Sequence, residues 1–475
     1  MKKLTTSVIV KKIEGTLTGP DKNINGIFNI LKDAQKGDAV IRHWIDETGV
    51  KIASQKGVSC IITQNPKGSA VKTAKELEIP FIVTEKIELA NAFAINWALE
   101  KFAKDSLRVV VTGTNGKSTT THMIYHILKE AGYSTYTNTD SESEFNTLID
   151  PMVAKQIAEF DAPIEAAVIE VSEVQGWLGD IMKDHAYIMT SAINPDVVVV
   201  TNVALDHIGL VNSIEETFDE TSGAVKGLKE NGSLILNLGD PLVFKMKDLS
   251  SNYGKILFFG NNADIKFNNT EILYKDNTLI KNDNLPFKSH HFIQNTMAAA
   301  GAAIALGIDL ETIKNAISSY KALKRRFAVI HSSPCIIDDF AHNPDGILAT
   351  IQNAALIGDG TLFVVSAIRG SRGESINNVN AEAIAKGLQN VPYKLIITSS
   401  NDVVDNLNVV TESEKKVFID ALEKEGIKYI FNEKLYDALK NVLKLSHNKD
   451  TILLIGAQGM DPAGEILDKI LENEK

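Results

Sequence analysis

The sequence predicts an α/β protein of three domains: a central phosphate-loop-type parallel sheet, flanked by an N-terminal α/β domain and a C-terminal Rossmann-like domain. Three observations lead there. Near-continuous apolar runs such as "RVVVTG" and "DVVVVTNV" alternate with longer helix-like stretches, the pattern of parallel strands buried on both faces. The alternation restarts twice, which divides the chain into 1–105, 106–329 and 330–475. A chain of 475 residues has material for several cores. Three such units in series place ligands in the clefts between them.

The first unit carries the strand candidates "GDAVIR" (37–42), "CIITQN" (60–65) and "PFIVTE" (80–85), each bounded by Gly, Pro or charge. "KIELANAFAINWALEKFAK" then reads as an amphipathic helix leading to the next unit. In the second unit the strands are "RVVVTG", "AAVIEV", "DVVVVTNV", "SLILNL" and "ILFFG", and "NTMAAAGAAIALGI" (295–308) is an Ala-rich helix with small residues for close packing. The third unit repeats the pattern with "CIIDDF", "TLFVVSAI", "KLIITSS", "KYIF" and "TILLIGA".

A net charge of −11 argues against a broad nucleic-acid or acidic-lipid surface. Cys60 and Cys335 are the two cysteines and lie in no ligand spacing, as expected for reduced structural thiols in a cytosolic chain. The opening "MKKLTTSVIVKKIEG" is too short in its apolar run for a secretion signal. No stretch approaches membrane-spanning length, so a cytoplasmic location is expected. Of 49 basic residues, six are arginine, and Arg325, Arg326, Arg369 and Arg372 cluster in one region. A chain that defaults to lysine can keep arginine where a planar cation is needed.

The most informative stretch is "VVVTGTNGKSTT". Backbone amides around Gly113, Thr114, Asn115, Gly116 and Lys117 can cradle phosphate oxygens at a helix start. Lys117 would neutralise terminal phosphates, Ser118 would offer its hydroxyl to Mg²⁺, and Thr119 completes the Gly-Lys-Ser-Thr run. The usual loop has four residues between its first Gly and the Gly-Lys pair; here there are two, and Val111 stands where the longer loop would need Gly. Glu170 ends a predicted central strand, where ligands of parallel sheets bind, and suits Mg²⁺. Asp206 and His207 follow another strand; they read as a metal or base site, or as a polar loop. Lys226 sits on a helix-like stretch and by composition is a solvated lysine. His122 and His126 have zinc-helix spacing, but Met123 stands where that pattern needs Glu. Arg325, Arg326, Asp338, Asp339, His342 and Asn343 gather at a third strand end, where acids can bond ribose hydroxyls and arginine can clamp phosphate.

Taken together, "TGTNGKST", "IEVSE", "TNVALDH", "NLGDP", "IQNTMAAAGAAIALG", "LKRRF", "DDFAHNPDG" and "LLIGAQG" resemble, in order, the motifs of the Mur ligases, over residues 109–460. The shortened loop is that family's form. "INGIFNILKDAQKGDAVI" resembles the N-terminal domain of the MurE and MurF types. The resemblance implies an ATP-dependent ligase that joins an amino acid to a carboxylate through an acyl phosphate, in cell-wall peptide synthesis. It implies ATP on Gly113 to Thr119, two Mg²⁺ held by Ser118, Glu170 and His207, adenine near Asn295, phosphate on Arg326 and ribose on Asp339, with His342 beside them. Lys226 falls near the family's carbamylated lysine, whose carbamate helps hold the second metal. The implied partners are a UDP-linked peptide or sugar-peptide precursor, bound by the N-terminal domain, and a free amino acid, bound by the C-terminal one. Neither nucleic acid nor membrane is expected, and a monomer is.

Three stretches depart from the family pattern. His291-Phe292 replaces the usual His-Asn pair, "SSNDVV" (399–404) replaces Asp-Asn-Pro-Arg, and "SAIRGSRGE" lacks the usual Gly-Asp-Arg. The second argues against diaminopimelate as the amino acid. An archaeal pseudomurein peptide ligase and an unusual bacterial enzyme both fit such a chain. Folylpolyglutamate synthetase shares the loop but starts it near the N-terminus, whereas here about a hundred residues of α/β precede it. An ATP-binding module without turnover is the alternative outside catalysis.

Overall fold

The computed structural model describes residues 4–139, 151–177, 180–204, 210–211, 213–249, 253–286, 289–358 and 360–473. They form three large sheets in two compact units; the first unit comprises most of the chain up to Tyr320, and the second is built mainly from Lys321 onward.

The first unit holds two of these sheets, with a short antiparallel pair, Gly176–Trp177 and Asp180–Ile181, beside them in sequence. In the N-terminal sheet, Thr16–Thr18 runs antiparallel at the edge, followed by the parallel strands Phe81–Val83, Cys60–Pro66, Ala39–Ile45 and Phe28–Asn29. Helix Ile87–Phe102, expected to be amphipathic, is instead apolar on most of its circumference; Ile87, Ala90, Ala94, Ile95, Ala98 and Leu99 are all buried. A helix that is apolar all round must be covered on several sides. This one packs on the Ala39–Ile45 strand on one side and on helices Met152–Ala158 and His185–Ile193 of the second sheet on another.

The second sheet has nine strands. Thr135–Thr137, Ala166–Glu170, Leu107–Thr112, Val197–Val200, Ser233–Asn237, Lys255–Phe259 and Ile265–Phe267 are parallel in that spatial order, and Glu271–Tyr274 and Asn277–Lys281 close it antiparallel. Val109, Val110, Val111 and Val197 to Val200 are at most 1 % exposed, which explains why their runs are continuous and do not alternate. Leu107–Thr112 lies between Ala166–Glu170 and Val197–Val200. The chain therefore leaves it toward one side of the sheet and later returns on the other. That is a topological switch point, where ligands of such sheets bind at the C-terminal strand ends.

In the second unit, Cys335–Asp339, Thr451–Ile455, Leu362–Ala367, Tyr393–Thr398 and Tyr429–Asn432 are parallel, and Ala328–Ser332 adds an antiparallel edge. Helices cover both faces of this sheet in two separate apolar clusters, the doubly wound arrangement expected for a Rossmann-like domain. Every strand expected from an apolar run is present, whereas the antiparallel strands leave no such run in the sequence. Among the described residues no helix is long and apolar enough to cross a membrane.

Candidate active site

Leu107–Thr112 ends in a turn through Gly113 (φ +119°) and Gly116 (φ +82°), and helix Lys117–Glu130 begins at once. A side chain is excluded at both glycines. A Cβ on Gly113 would lie 2.8 Å from the carbonyl oxygen of Asn202, and one on Gly116 would lie 3.1 Å from the amide carbon of Asn295 and closer still to its oxygen. The helix starts on Gly116 with no side-chain cap. Its first-turn amides and the positive end of its dipole therefore face the turn, as an anion site requires.

The neighbouring strand end stitches the turn in place. Thr114 N donates to Asn202 O (3.0 Å), Asn115 N to Asn202 Oδ1 (2.9 Å), and Asn202 Nδ2 and Thr201 Oγ1 donate to Asn115 O (2.8 and 2.7 Å). A further layer holds that segment: Asn237 Nδ2 donates to Thr201 O (2.8 Å) and Val203 N donates to Asp240 Oδ2 (2.7 Å). The motifs "TNV" and "NLGDP" thus act on the loop through backbone geometry.

Lys117 Nζ folds back over the turn. It donates to Gly113 O (2.7 Å), Thr114 O (3.0 Å) and Glu173 Oε2 (2.7 Å). The Glu173 side chain is 0 % exposed. Glu170, the last residue of its strand, is buried beside it in sequence, and its backbone is clamped by Asn138 (2.8 and 3.1 Å). Ser118 is buried in the helix's first turn, and Asn295 lies against Gly116. The structure therefore gathers Gly113 to Ser118, Asn295, Glu173 and, one strand over, Glu170.

One of the anticipated residues does not join them. Lys226 is exposed at the last position of helix Ile214–Lys226, so the burial that would favour a carbamate over an ammonium is missing there. Its neighbour Lys229 is ion-paired with Asp196. His207, with Asp206, lies outside the described residues. His122 and His126 flank Tyr320 at 5.6 and 5.8 Å between rings, and His122 Nδ1 meets the Tyr320 hydroxyl at 3.2 Å. Burial pulls His122 down to about 4; these histidines are helix packing.

The cradle fits a nucleotide's phosphates on three counts: two side-chain-free positions, an uncapped helix start and a lysine at its first turn. For Mg²⁺ the described donors are the Ser118 hydroxyl and the Glu170 carboxylate. One or two protein oxygens completed by phosphate oxygens and water suit that ion. Among the described residues no three His, Cys, Asp or Glu side chains are grouped closely enough to hold a metal.

The second unit has its own cluster at the end of Cys335–Asp339. Arg325, 1 % exposed at φ +58°, pairs with Asp338 (3.4 Å) and Asp461 and donates to the carbonyls of Gly456 and Ala457 (3.3 Å to the latter). It ties two strand ends together. Arg326 stacks 4.7 Å from the Phe340 ring. Asp339 Oδ1 accepts from Ala341 N (2.8 Å) and Thr350 Oγ1 (3.2 Å); burial raises its carboxyl and Arg326 opposes that. His342 Nδ1 faces the Phe340 carbonyl at 2.8 Å, and Asn343 caps helix Pro344–Ala354. Two of the departing stretches are also accounted for locally. Asp402 accepts from Leu435 N (2.7 Å) and Tyr436 N (3.2 Å) as a helix cap. The loop in "SAIRGSRGE" wraps the Glu414 carboxylate, which accepts from the amides of Ser371, Arg372 and Gly373 (3.2, 2.9 and 2.7 Å).

Glu173 was missed as a site residue from sequence, and the signal was present: a second carboxylate three residues past Glu170, in the same strand-end loop. Thr201 and Asn237 were likewise unassigned: their side chains donate to the backbone carbonyls of Asn115 and Thr201, contacts made only in the folded chain.

Comparison with known proteins bears on this geometry directly. Residues 111–303 match the Mur ligase middle domain and residues 325–458 the Mur ligase glutamate ligase domain. The chain is 28% identical over 316 residues to UDP-N-acetylmuramate–L-alanine ligase of Acetivibrio thermocellus, covering 62% of this chain and 58% of that one. The chain thus spans little more than half the length of that relative. Among solved structures, MurF from Acinetobacter baumannii superposes with a TM-score of 0.73 at 19% identity, covering 99% of both chains. A pseudomurein peptide ligase type C from Methanothermus fervidus superposes with a TM-score of 0.60 at 21% identity, covering 91% of this chain and 94% of that one. These likenesses establish a shared three-domain fold. The shortened phosphate turn at the switch point falls inside the first matched domain and the Arg325–Asp339 cluster inside the second, and on that agreement of sequence and structure the chain belongs to the Mur ligase family.

Proposed function

We propose that this protein is an ATP-dependent ligase that forms an amide between a carboxylate of a UDP-linked precursor and an amino acid, in peptidoglycan or pseudomurein peptide synthesis. The observation that carries the reading is Lys117, held over a turn with glycine at both ends, at the C-terminal end of the central strand. A carboxylate does not react with an amine at neutral pH, because its oxide leaves poorly. Transfer of the γ-phosphoryl group converts it to an acyl phosphate with a good leaving group, which the amine then displaces.

In this reading the amides of Gly116, Lys117 and Ser118 at the helix start bind the β- and γ-phosphates, while those of Thr114 and Asn115 stay on Asn202, and Lys117 offsets the charge that grows on the transferring group. Asn295 and the Thr201–Asn202 segment keep the turn in shape, so no reorganisation is needed during reaction. Ser118 and Glu170 would hold Mg²⁺, which supplies further charge neutralisation when bound; His207 is a candidate third donor. Arg326, Asp339 and His342 are the proposed contacts of the second unit to phosphate and ribose. The N-terminal sheet is the proposed seat of the UDP-linked precursor and the second unit that of the amino acid. Because ATP and nucleotide-linked precursors are cytoplasmic, the reading carries a cytoplasmic location with it.

The test is ATP-dependent phosphate release, screened against amino acids and UDP-linked peptides, with Lys117→Ala alongside. Release that needs both a precursor and an amino acid, and that is lost in Lys117→Ala, is expected. Nucleotide binding without release for any acceptor would mark a binding module instead.

A further inference from the structure

We propose that Glu173 is the resident counter-ion of Lys117: it holds the ammonium over the turn and gives it up to phosphate, and so sets nucleotide affinity. The proposal rests on the reading of Lys117 as a phosphate ligand and adds a positioning residue to it. Glu173 is not a solvated acid that happens to lie nearby. Its side chain is 0 % exposed, and its Oε2 is 2.7 Å from Lys117 Nζ, whose own side chain is 14 % exposed. A carboxylate in such a place persists because a cation faces it.

The loop that carries Glu173 is rigid. Val171 N donates to Val111 O (2.9 Å), the Ser172 hydroxyl donates to Val174 O (2.8 Å), and Met182 N donates to Gln175 O (2.8 Å). From the other side the fully buried His185 ring places Nδ1 3.2 Å from Ser172 O. Burial draws that imidazole down to about 4, so its neutral form donates this bond near neutral pH. Four ties over five residues leave the carboxylate little freedom to swing away when an anion arrives.

The consequence is competition. Lys117 donates to two backbone carbonyls and to the Glu173 carboxylate. A phosphate that takes the ammonium must replace a charge-assisted hydrogen bond with another. It must also approach a fixed negative charge in a poorly solvated site. Mg²⁺ arriving with the nucleotide would offset that repulsion. Glu173 therefore disfavours metal-free nucleotide more than the magnesium complex, and lets product nucleotide leave.

Calorimetric binding of ADP, in EDTA and again with Mg²⁺, tests this on the full chain. Glu173→Gln keeps the shape and removes the charge. It should tighten metal-free ADP about tenfold, about 1.4 kcal/mol, and tighten the magnesium complex by less. Glu173→Asp, which keeps the charge, should stay within about threefold of the parent. Thermal melting of each variant establishes that it folds. Unchanged or weaker ADP binding in Glu173→Gln overturns the proposal, as does equal tightening in Glu173→Asp. In a Lys117→Ala background the gain from Glu173→Gln should disappear; if it persists, the effect is general repulsion and the counter-ion role is wrong. Lys117→Ala alone separates the two ideas: if it leaves ADP affinity intact, the phosphate reading of Lys117 fails, whatever Glu173 does.

Discussion

Three glycines at positive φ offer a graded test of the phosphate turn. Gly132, Gly116 and Gly113 have φ of +92°, +82° and +119°. An alanine at any of them costs about 1–2 kcal/mol of backbone strain. They differ in what the new Cβ meets. Gly132 has nothing within 4 Å; Gly116 faces the Asn295 side chain; Gly113 faces the backbone of Asn202, with the carbonyl oxygen at 2.8 Å and the nitrogen at 3.0 Å. Asn295 is half-buried and can rotate, so overlap there adds about 1 kcal/mol, whereas backbone held by several hydrogen bonds cannot yield and adds about 2–3 kcal/mol. The expected losses are then about 1–2, 2–3 and 4 kcal/mol for Gly132→Ala, Gly116→Ala and Gly113→Ala. For a unit of this size about 2 °C of melting temperature accompanies each kcal/mol. Thermal melting reads the ranking, and calorimetric ADP binding reads the function: Gly132→Ala binds as the parent does, and the other two lose at least about tenfold. Adding Asn295→Ala should cancel the overlap at Gly116 while leaving its strain. Equal melting losses at all three glycines, or no relief from Asn295→Ala, would refute the reasoning.

Other expectations follow from single contacts. Lys226 is exposed, so Lys226→Ala should keep turnover and melt within about 0.5 kcal/mol of the parent; inactivity rescued by formate would restore the carbamate idea. Lowering the pH from about 7 to about 5 should destabilise the first unit. His122 and His185 are held at about 4 by burial, below the ordinary histidine value, so the unfolded chain takes up protons first and stability falls from about pH 6.5 toward about 4. His122→Gln should remove roughly half of that acid sensitivity in a pH series of melts. Glu414→Ala should free the amides of 371–373, costing about 2–3 kcal/mol and raising hydrogen exchange there; unaltered exchange would mean the loop is held by other contacts.

Most of the parallel strands were legible because their central residues are buried on both faces and so appear as an unbroken apolar run; Phe28–Asn29, Thr135–Thr137 and Ile265–Phe267, two or three residues long, are too short to leave one. Ala328–Ser332 was not legible either, since its residues are largely exposed or half-exposed with no alternation. The glycine turn and the helix start behind it were legible because their signal is local: glycines at required φ, then Lys and Ser on a helix. Glu173 and Thr201 escaped because their roles come from chain segments that meet only in the folded sheet. Lys226 shows the converse. Its place in the order of motifs suggested a buried role, but order along the chain does not determine which face of a helix turns inward.

Helix Ile87–Phe102 has a meaning for modularity. Its buried residues share one continuous apolar cluster with Ile41, Ile62 and Ile82 of the first sheet and with Val110, Ile169 and Val198 of the second. A chain cut just before or just after it would leave one partner with a bare apolar face and the other with an unsupported helix. The N-terminal sheet is therefore poorly suited to exchange as a cassette between related enzymes unless the helix and both of its seats travel together. On the reading proposed above, in which this sheet seats the precursor, changes of precursor specificity are easier to reach through the loops at the sheet's ends than by swapping the whole domain.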